Sequence, residues 1–157
     1  MEHYLAQVNI GKILAPMDSP VMAEFAANLN SINALAENSE GFIWRLKDDN
    51  NNATSFKVFD DDFLLINMSV WKDAESLAAF VYKSSHVDYV KRRKEWFEKM
   101  EQMYMALWYV PATHTPTPAE AIERLDYLRQ HGETPFAFSF KKRFTVEELN
   151  LFRPGMV

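Results

Sequence analysis

The first predicted element is a β-strand over residues 4–13, where apolar and polar positions alternate. One side of this strand is apolar and consists of Tyr4, Ala6, Val8 and Ile10. The opposite side carries two amides, Gln7 and Asn9. Residues 63–71 alternate in the same way, and their polar side carries Asn67, Ser69 and Trp71. Each of these strands therefore has one apolar face and one face with hydrogen-bonding side chains.

Three shorter stretches are also predicted to be strands. Residues 42–47 alternate so that Trp44 lies opposite Arg45. Arg45 is either a pocket cation or a solvated residue at the edge of the sheet, and we favour the edge interpretation. Residues 104–110 are bulky on both faces, and residues 136–140 form a short candidate strand near the C-terminus.

Capping residues and helical periodicity predict the helices. They span residues 20–41, 74–82, 85–100 and 117–132, with a last helical turn from residue 145. Their starts are marked by Ser19, Asp73, Ser85 and Thr117. Thr117 and Glu120 match a capping box, and Gly132 marks the end of that helix.

The order of elements is strand, helix, strand, strand, helix, strand, followed by C-terminal additions. It is typical of the ferredoxin-like arrangement, an α+β fold in which an antiparallel sheet carries helices on one face. The 157 residues suit a single domain with a helical and strand extension over about residues 112–157. The second face of the sheet is largely apolar, so either this extension or a second copy of the chain in a homodimer must cover it.

The predicted helix over residues 85–100 separates into two faces on a helical wheel. One face is charged and consists of Asp88, Lys91, Arg92, Lys94, Glu95, Glu98 and Lys99. The opposite, largely apolar face holds His86, Tyr89, Val90, Arg93, Trp96, Phe97 and Met100. Two ionisable groups, His86 and Arg93, lie within that apolar face, and burial of an isolated charge costs several kcal/mol.

We interpret His86 and Arg93 as candidate catalytic residues of a pocket between this helix and the sheet. Arg93 would hold an anion or a polarised oxygen, and His86 would donate or accept a proton. Tyr89 and Trp96 would form aromatic walls. In the structural alternative, His86 bonds a backbone carbonyl and Arg93 pairs with an acid.

The sheet offers matching candidates for substrate binding. Asn9 shares a strand face with Gln7, and Asn67 shares one with Trp71. Amides within apolar strands need hydrogen-bond partners, which a ligand, a neighbouring strand or a dimer mate can supply. We predict Asn9, Asn67 and Trp71 as binding residues with these alternatives open, and we assign His114 to a loop.

Composition and charge exclude several classes of function. The chain has no cysteine, its histidines lack metal-site spacing, and its 4 glycines form no phosphate-binding loop. The 17 basic and 22 acidic residues give a net charge of −5, which disfavours general nucleic-acid binding. Without an apolar run of about 20 residues or a signal-peptide pattern at the N-terminus, we expect a cytoplasmic protein that neither spans nor binds a membrane.

Six motifs carry a resemblance to a known superfamily: GFIWRL, NMSVW, AFVYKSSH, RRKEWFEKM, LWYVPATHTPT and EAIERLDYLRQHG. With the order of elements, they resemble an uncharacterised bacterial family of unknown function within the dimeric α/β-barrel superfamily of antibiotic-biosynthesis-monooxygenase-like proteins. The resemblance covers almost the whole chain. It implies that two copies of the chain form a homodimer with the dimeric α/β-barrel fold.

The superfamily includes cofactor-independent monooxygenases, haem-degrading oxygenases, isomerases and proteins without known catalysis. The resemblance therefore implies a small-molecule-binding homodimer, with cofactor-independent monooxygenase activity on a small aromatic substrate as the leading hypothesis. The alternative is a non-catalytic ligand-binding or stress-related module. Asn9, Trp71 and His86 occupy stations similar to those used by the haem-degrading branch, but the longer segment between Trp71 and His86 disfavours haem, so no cofactor is predicted.

Overall fold

The computed structural model describes residues 2–47, 64–83, 92–100 and 102–153. Four strands form one sheet in the order β2-β3-β1-β4, and every neighbouring pair is antiparallel. The strands are β1 (His3–Lys12), β2 (Phe42–Arg45), β3 (Leu64–Trp71) and β4 (Met105–Pro111). This order is that of the ferredoxin-like fold and confirms the predicted α+β class.

The helices follow the predicted starts with one exception. They are α1 (Ala23–Glu37), α2 (Ala74–Lys83), α3 (Pro118–His131) and α4 (Val146–Leu151). The Asp73 carboxylate caps α2 by accepting from Ser76 N over 2.8 Å, and Thr117 Oγ1 caps α3 by accepting from Glu120 N. Ser19 instead precedes a 3₁₀ turn at Pro20–Met22, and its hydroxyl donates to the carbonyl of Pro16 rather than capping a helix.

Both faces of the sheet are packed by helices. Helices α1 and α2 lie on the face that includes Leu5 and Trp71, with Leu77 and Phe80 of α2 in the same cluster. The opposite face packs against α3. Its buried strand residues are Ala6, Val8, Ile10, Ile66, Met68, Val70, Ala106, Trp108 and Val110, and α3 contributes Ala121, Leu125 and Leu128.

Helix α3 therefore covers much of the apolar second face within a single chain, which is one of the two alternatives that the sequence leaves open. Burial removes this apolar surface from water at about 25 cal/mol per Å², so the strand face and α3 stabilise each other. The homodimer remains a prediction. Within the described residues, no helix combines the length and apolar character that a bilayer span requires.

The helix predicted over residues 85–100 is wrong for its described part, residues 92–100. A short 3₁₀ turn at Arg93–Glu95 is followed by extended chain that pairs with the end of β1. Leu14 N donates to Trp96 O over 2.9 Å, and Glu98 N donates to Lys12 O over 2.8 Å. The end of β1 thus supplies hydrogen-bond partners for the backbone of this segment, which therefore does not need the internal hydrogen bonds of a helix. Helical periodicity in the sequence cannot reveal such a partner.

The sequence pattern nevertheless predicts correctly which of these side chains point inward and which point to solvent. Arg93, Trp96 and Phe97 point inward, whereas the exposed residues of the segment are Lys94, Glu95, Glu98 and Lys99. Trp96 is buried with Ile13 and Met22. Arg92 fixes the segment to α1, because its guanidinium bonds both carboxylate oxygens of Glu24 at 2.7 and 2.6 Å.

Candidate functional site

A cavity of about 330 Å³ lies between the sheet and the helices α1 and α2. Its floor is the polar face of the two central strands, with Gln7, Asn9 and Gly11 from β1 and Leu65, Asn67, Ser69 and Trp71 from β3. Its walls are mostly apolar and come from α1, α2 and the segment around Trp96. A concave apolar site with a few convergent polar groups is the usual form of a small-molecule site.

The polar floor is a connected hydrogen-bond network across β1 and β3. Gln7 Nε2 donates to Asn67 Oδ1 and to Ser69 Oγ, each over 2.8 Å. Asn9 Nδ2 donates to Gln7 Oε1 and to Asn67 Oδ1, each over 3.2 Å. Trp71 Nε1 completes the network by donating to Ser69 Oγ over 2.8 Å. The antiparallel register creates these contacts, because it places Asn9 opposite Asn67 and Gln7 opposite Ser69.

Arg45 is buried with a relative exposure of 6%, so its interpretation as a solvated edge residue is wrong. A register shift between Phe42 and Trp44 interrupts the alternation of β2. It places Phe42 on the same sheet face as Arg45, against Trp71. Arg45 Nε donates to Glu37 Oε1 at the end of α1 over 3.0 Å, so this guanidinium faces the cavity with its charge balanced by an acid.

Arg93 also lines the cavity, but its charge is not balanced in the way that Glu37 balances the charge of Arg45. Its Nη2 donates to the carbonyl oxygen of Ile10 over 3.1 Å, and its guanidinium carbon lies 4.7 Å from the ring centre of Phe97 and 4.4 Å from that of Tyr104. Burial lowers the pKa of the Arg93 guanidinium. Among the described residues, no carboxylate forms a salt bridge with Arg93.

The position of Arg93 depends on the glycine at position 11. A Cβ atom at Gly11 would lie 2.6 Å from Phe97 Cδ1 and 3.1 Å from Arg93 Nη2. The absence of a side chain there lets the ring and the guanidinium lie against the backbone of β1. Phe25 of α1 closes the aromatic wall, with its ring centre 5.5 Å from that of Trp96 and 5.3 Å from that of Phe97.

The structure brings five of the seven predicted site residues together around this cavity. They are Asn9, Asn67, Trp71, Arg93 and Trp96. The other two, His86 and Tyr89, lie outside the described residues. His114 is remote from the cavity, since its Nε2 lies 2.6 Å from Oε1 of Glu120 on α3, the helix of the opposite sheet face.

Sequence reasoning missed Phe97 and Tyr104 as cavity residues, and it gave the pocket position of Arg45 only as the less favoured alternative. Arg45 is recognisable only once the shift in β2 and the position of Glu37 are known. A signal was present for Phe97, because Gly11 interrupts a strand face and such a glycine often marks a close approach by another group.

The described lining residues can bind and orient a ligand. They supply two guanidinium groups, amides, three hydroxyl groups and aromatic rings, but no described lining residue is an acid or a histidine. No group of acids and histidines suited to a metal ion occurs within the described part of the chain. Within the described lining, the groups available for a proton transfer are therefore hydroxyls such as that of Tyr104, and a histidine would have to be the predicted His86.

Comparisons with known proteins give a family match and distant structural similarity. The chain is similar to SnoaB, a cofactor-independent oxygenase from Streptomyces nogalater, with 14% identity, a TM-score of 0.46 and coverage of 73% of this chain and 97% of that one. It is also similar to the NE2512 protein of unknown function from Nitrosomonas europaea, with 13% identity, a TM-score of 0.45 and coverage of 74% and 95%. No curated protein sequence matches it.

The family match extends over nearly the whole chain, from residue 4 to residue 152. It includes all four strands, the cavity floor and the helix that covers the second sheet face. The chain belongs to the family described as domain of unknown function DUF3291.

Proposed function

We propose that the cavity binds a small, partly aromatic organic molecule that carries an anionic or strongly polarised oxygen. The observation that carries this proposal is Arg93, a partly buried guanidinium that faces the cavity without a carboxylate partner among the described residues. A buried charge is costly unless it is paired, and an arginine remains charged at neutral pH. A ligand anion would supply the partner that the described residues do not.

The shape and lining of the cavity support an aromatic ligand of limited size. A volume of about 330 Å³ is at the lower end of the range for small-molecule pockets and suits one or two fused rings. The walls provide aromatic surface from Phe25, Trp96 and Phe97. Offset or edge-on contacts with such rings add to the apolar burial of a flat ligand.

Cofactor-independent monooxygenase activity is the reaction that the sequence resemblance nominates for this cavity. In such a reaction O₂ converts a phenol-like quinol into a hydroxyquinone, with one oxygen atom entering the product ring and the other leaving as water. The substrate itself supplies the electrons. Arg93 would stabilise the substrate anion, and the role of proton acceptor stays with the predicted His86. Haem ligation is not part of this proposal, because it would require that same histidine.

A cavity-filling substitution tests the binding proposal. Wild-type protein is titrated by calorimetry with 2-naphthoate, 2-naphthol and 2-naphthamide, alongside Leu29→Trp in the cavity wall and Leu151→Trp at a surface position that is 81% exposed. We expect binding to the wild type and to Leu151→Trp, with at least a tenfold loss in Leu29→Trp. Failure of all three compounds to bind the wild type would overturn the proposal.

Oxygen consumption separates the oxygenase hypothesis from the non-catalytic alternative. Purified protein is incubated with a panel of quinols in an oxygen electrode. Catalysis predicts enzyme-dependent uptake that falls in Arg93→Gln. Compounds that bind but cause no uptake would instead indicate a ligand-binding module.

The homodimer implied by the resemblance is part of this proposal. Light scattering should then give twice the 18.3 kDa mass of one chain. Since α3 already packs on the second sheet face, the second copy would contact a surface that α3 leaves open. A single-chain mass at micromolar concentration would contradict the homodimer without affecting the cavity.

A further inference from the structure

We propose that the ligand of this cavity is an aromatic carboxylate whose two oxygens bind the N–H edge of Arg93 that no described residue occupies. This inference rests on the proposed function and narrows it from any polarised oxygen to one head group.

The hydrogen-bond inventory of Arg93 is the first argument. A guanidinium has five N–H donors, and Ile10 O accepts one of them. The contacts with Phe97 and Tyr104 are made with aromatic rings and engage no oxygen acceptor. The remaining in-plane donors form a planar fork, which matches the two oxygens of a carboxylate better than the single oxygen of a phenol.

The polar floor next to Arg93 adds further N–H donors to those of the guanidinium. Asn67 Oδ1 accepts two hydrogen bonds, but neither N–H of the Asn67 amide has a partner within the described chain. Both N–H groups of Asn9 are used, which leaves its Oδ1 as the free acceptor. A donor-rich site suits a ligand that only accepts hydrogen bonds, and an ionised carboxylate is such a group.

The location of these groups makes them one site. Arg93 lies against Gly11. Asn9 is two residues from Gly11 on the same face of β1, a spacing of about 7 Å along a strand. Asn67 faces Asn9 across the β1–β3 pair. A carboxylate at Arg93 would therefore direct its attached ring over the amide floor and between the walls of α1 and α2.

Charge balance points the same way. Arg45 is paired with Glu37, so Arg93 provides the uncompensated positive charge of the described lining. The chain as a whole carries a net charge of −5, so attraction of an anion must come from this local group and not from the overall field. A carboxyl group is ionised at pH 7, whereas a simple phenol is not.

The test compares head groups on one aromatic ring system. Isothermal titration calorimetry at pH 7 measures 2-naphthoate, 2-naphthamide and 2-naphthol against wild type, Arg93→Gln and the control Arg153→Gln at an exposed position. We expect wild type and Arg153→Gln to prefer 2-naphthoate by about 10–100-fold, the ratio typical of a charge-assisted pair. Arg93→Gln should bind the three compounds with similar, weak affinity.

The outcomes distinguish the two proposals. If 2-naphthamide or 2-naphthol binds the wild type as tightly as 2-naphthoate, the carboxylate inference is overturned while the proposed cavity function stands. If none of the three binds, both fail. Should Arg93→Gln not fold, as judged by circular dichroism, Arg93→Lys serves instead: it keeps the charge but loses the fork, and we expect it to weaken 2-naphthoate binding at least fivefold. Unchanged 2-naphthoate binding in either folded variant would overturn the inference.

Discussion

The guanidinium of Arg93 donates to the carbonyl oxygen of Ile10 over 3.1 Å, although 83 positions separate the two residues in the chain. Ile10 also donates its own N–H to Tyr104 O, immediately before β4 begins. Arg93 thus occupies a backbone acceptor at the point where the β1–β4 ladder ends. This backbone hydrogen bond therefore holds the guanidinium of Arg93, the candidate anion-binding group, against the sheet.

This arrangement predicts that Gly11→Ala will impair ligand binding as well as folding stability. The new methyl group would meet Phe97 and Arg93 at 2.6 and 3.1 Å, so both must shift. We expect about 1–3 kcal/mol lower stability from overpacking, and at least a tenfold weaker affinity for 2-naphthoate. Calorimetry and urea denaturation measure the two effects.

Gly132→Ala is the control for Gly11→Ala. Its backbone has a φ of 74°, so alanine is strained there, but no atom lies within 4 Å of the added Cβ. We expect about 1 kcal/mol lower stability and unchanged binding. Equal loss of binding in both variants would show that Gly11 acts through general stability.

Substitution of a buried residue of α3 will show whether the second face of the sheet is covered within one chain. Leu125→Ala should lower the free energy of unfolding by about 2–5 kcal/mol, because Leu125 is almost fully buried in the cluster that contains Trp108. For coverage within one chain, the resulting decrease in melting temperature should be the same at 1 and 100 μM protein. A decrease that grows on dilution would indicate that the substituted surface is part of an interface between chains.

The Glu120 carboxylate links α3 to the core of the sheet. Its Oε2 accepts from Trp108 Nε1 over 2.8 Å, and Trp108 is fully buried. We expect Glu120→Ala to lower stability by about 1–3 kcal/mol, because a buried indole N–H would lose its partner. Glu120→Gln keeps an oxygen acceptor and should lose less, and Glu123→Ala at an exposed site of the same helix should change stability by less than about 0.5 kcal/mol. Urea denaturation with tryptophan fluorescence measures all three.

The cap of α2 should make stability depend on pH at the acid end. The hydrogen bond from Ser76 N lowers the pKa of the Asp73 carboxyl below its usual value. A carboxyl whose pKa is lower in the folded state stabilises the fold above its unfolded pKa of about 3.9, and this contribution is lost as the pH falls through the folded value. We expect Asp73→Ala to lower stability by about 0.5–2 kcal/mol at pH 7, with the difference from wild type shrinking below pH 4. A constant difference from pH 7 to pH 2 would contradict this assignment.

The sequence by itself determined the four strands of the sheet, the capped starts of α2 and α3, and the polar face of the central pair, whereas the strand predicted over residues 136–140 forms only isolated bridges. Alternation is a local property, so residues 4–13 and 63–71 revealed which side chains share a face before any partner was known. The caps at Asp73 and Thr117 are equally local. Because Asn9, Asn67 and Trp71 lie on predicted strand faces, the amide floor of the cavity followed from the pattern together with the strand order.

Only the tertiary structure decided how the remaining groups meet. The segment around Arg93 reads as a helix, but the unpaired backbone at the end of β1 draws residues 92–100 into an extended pairing. The register shift in β2 and the carboxylate of Glu37 bury Arg45, whereas periodicity alone could not decide between a pocket cation and a solvated edge residue. Such partners are distant in sequence and contribute hydrogen bonds and charge compensation that no local pattern contains.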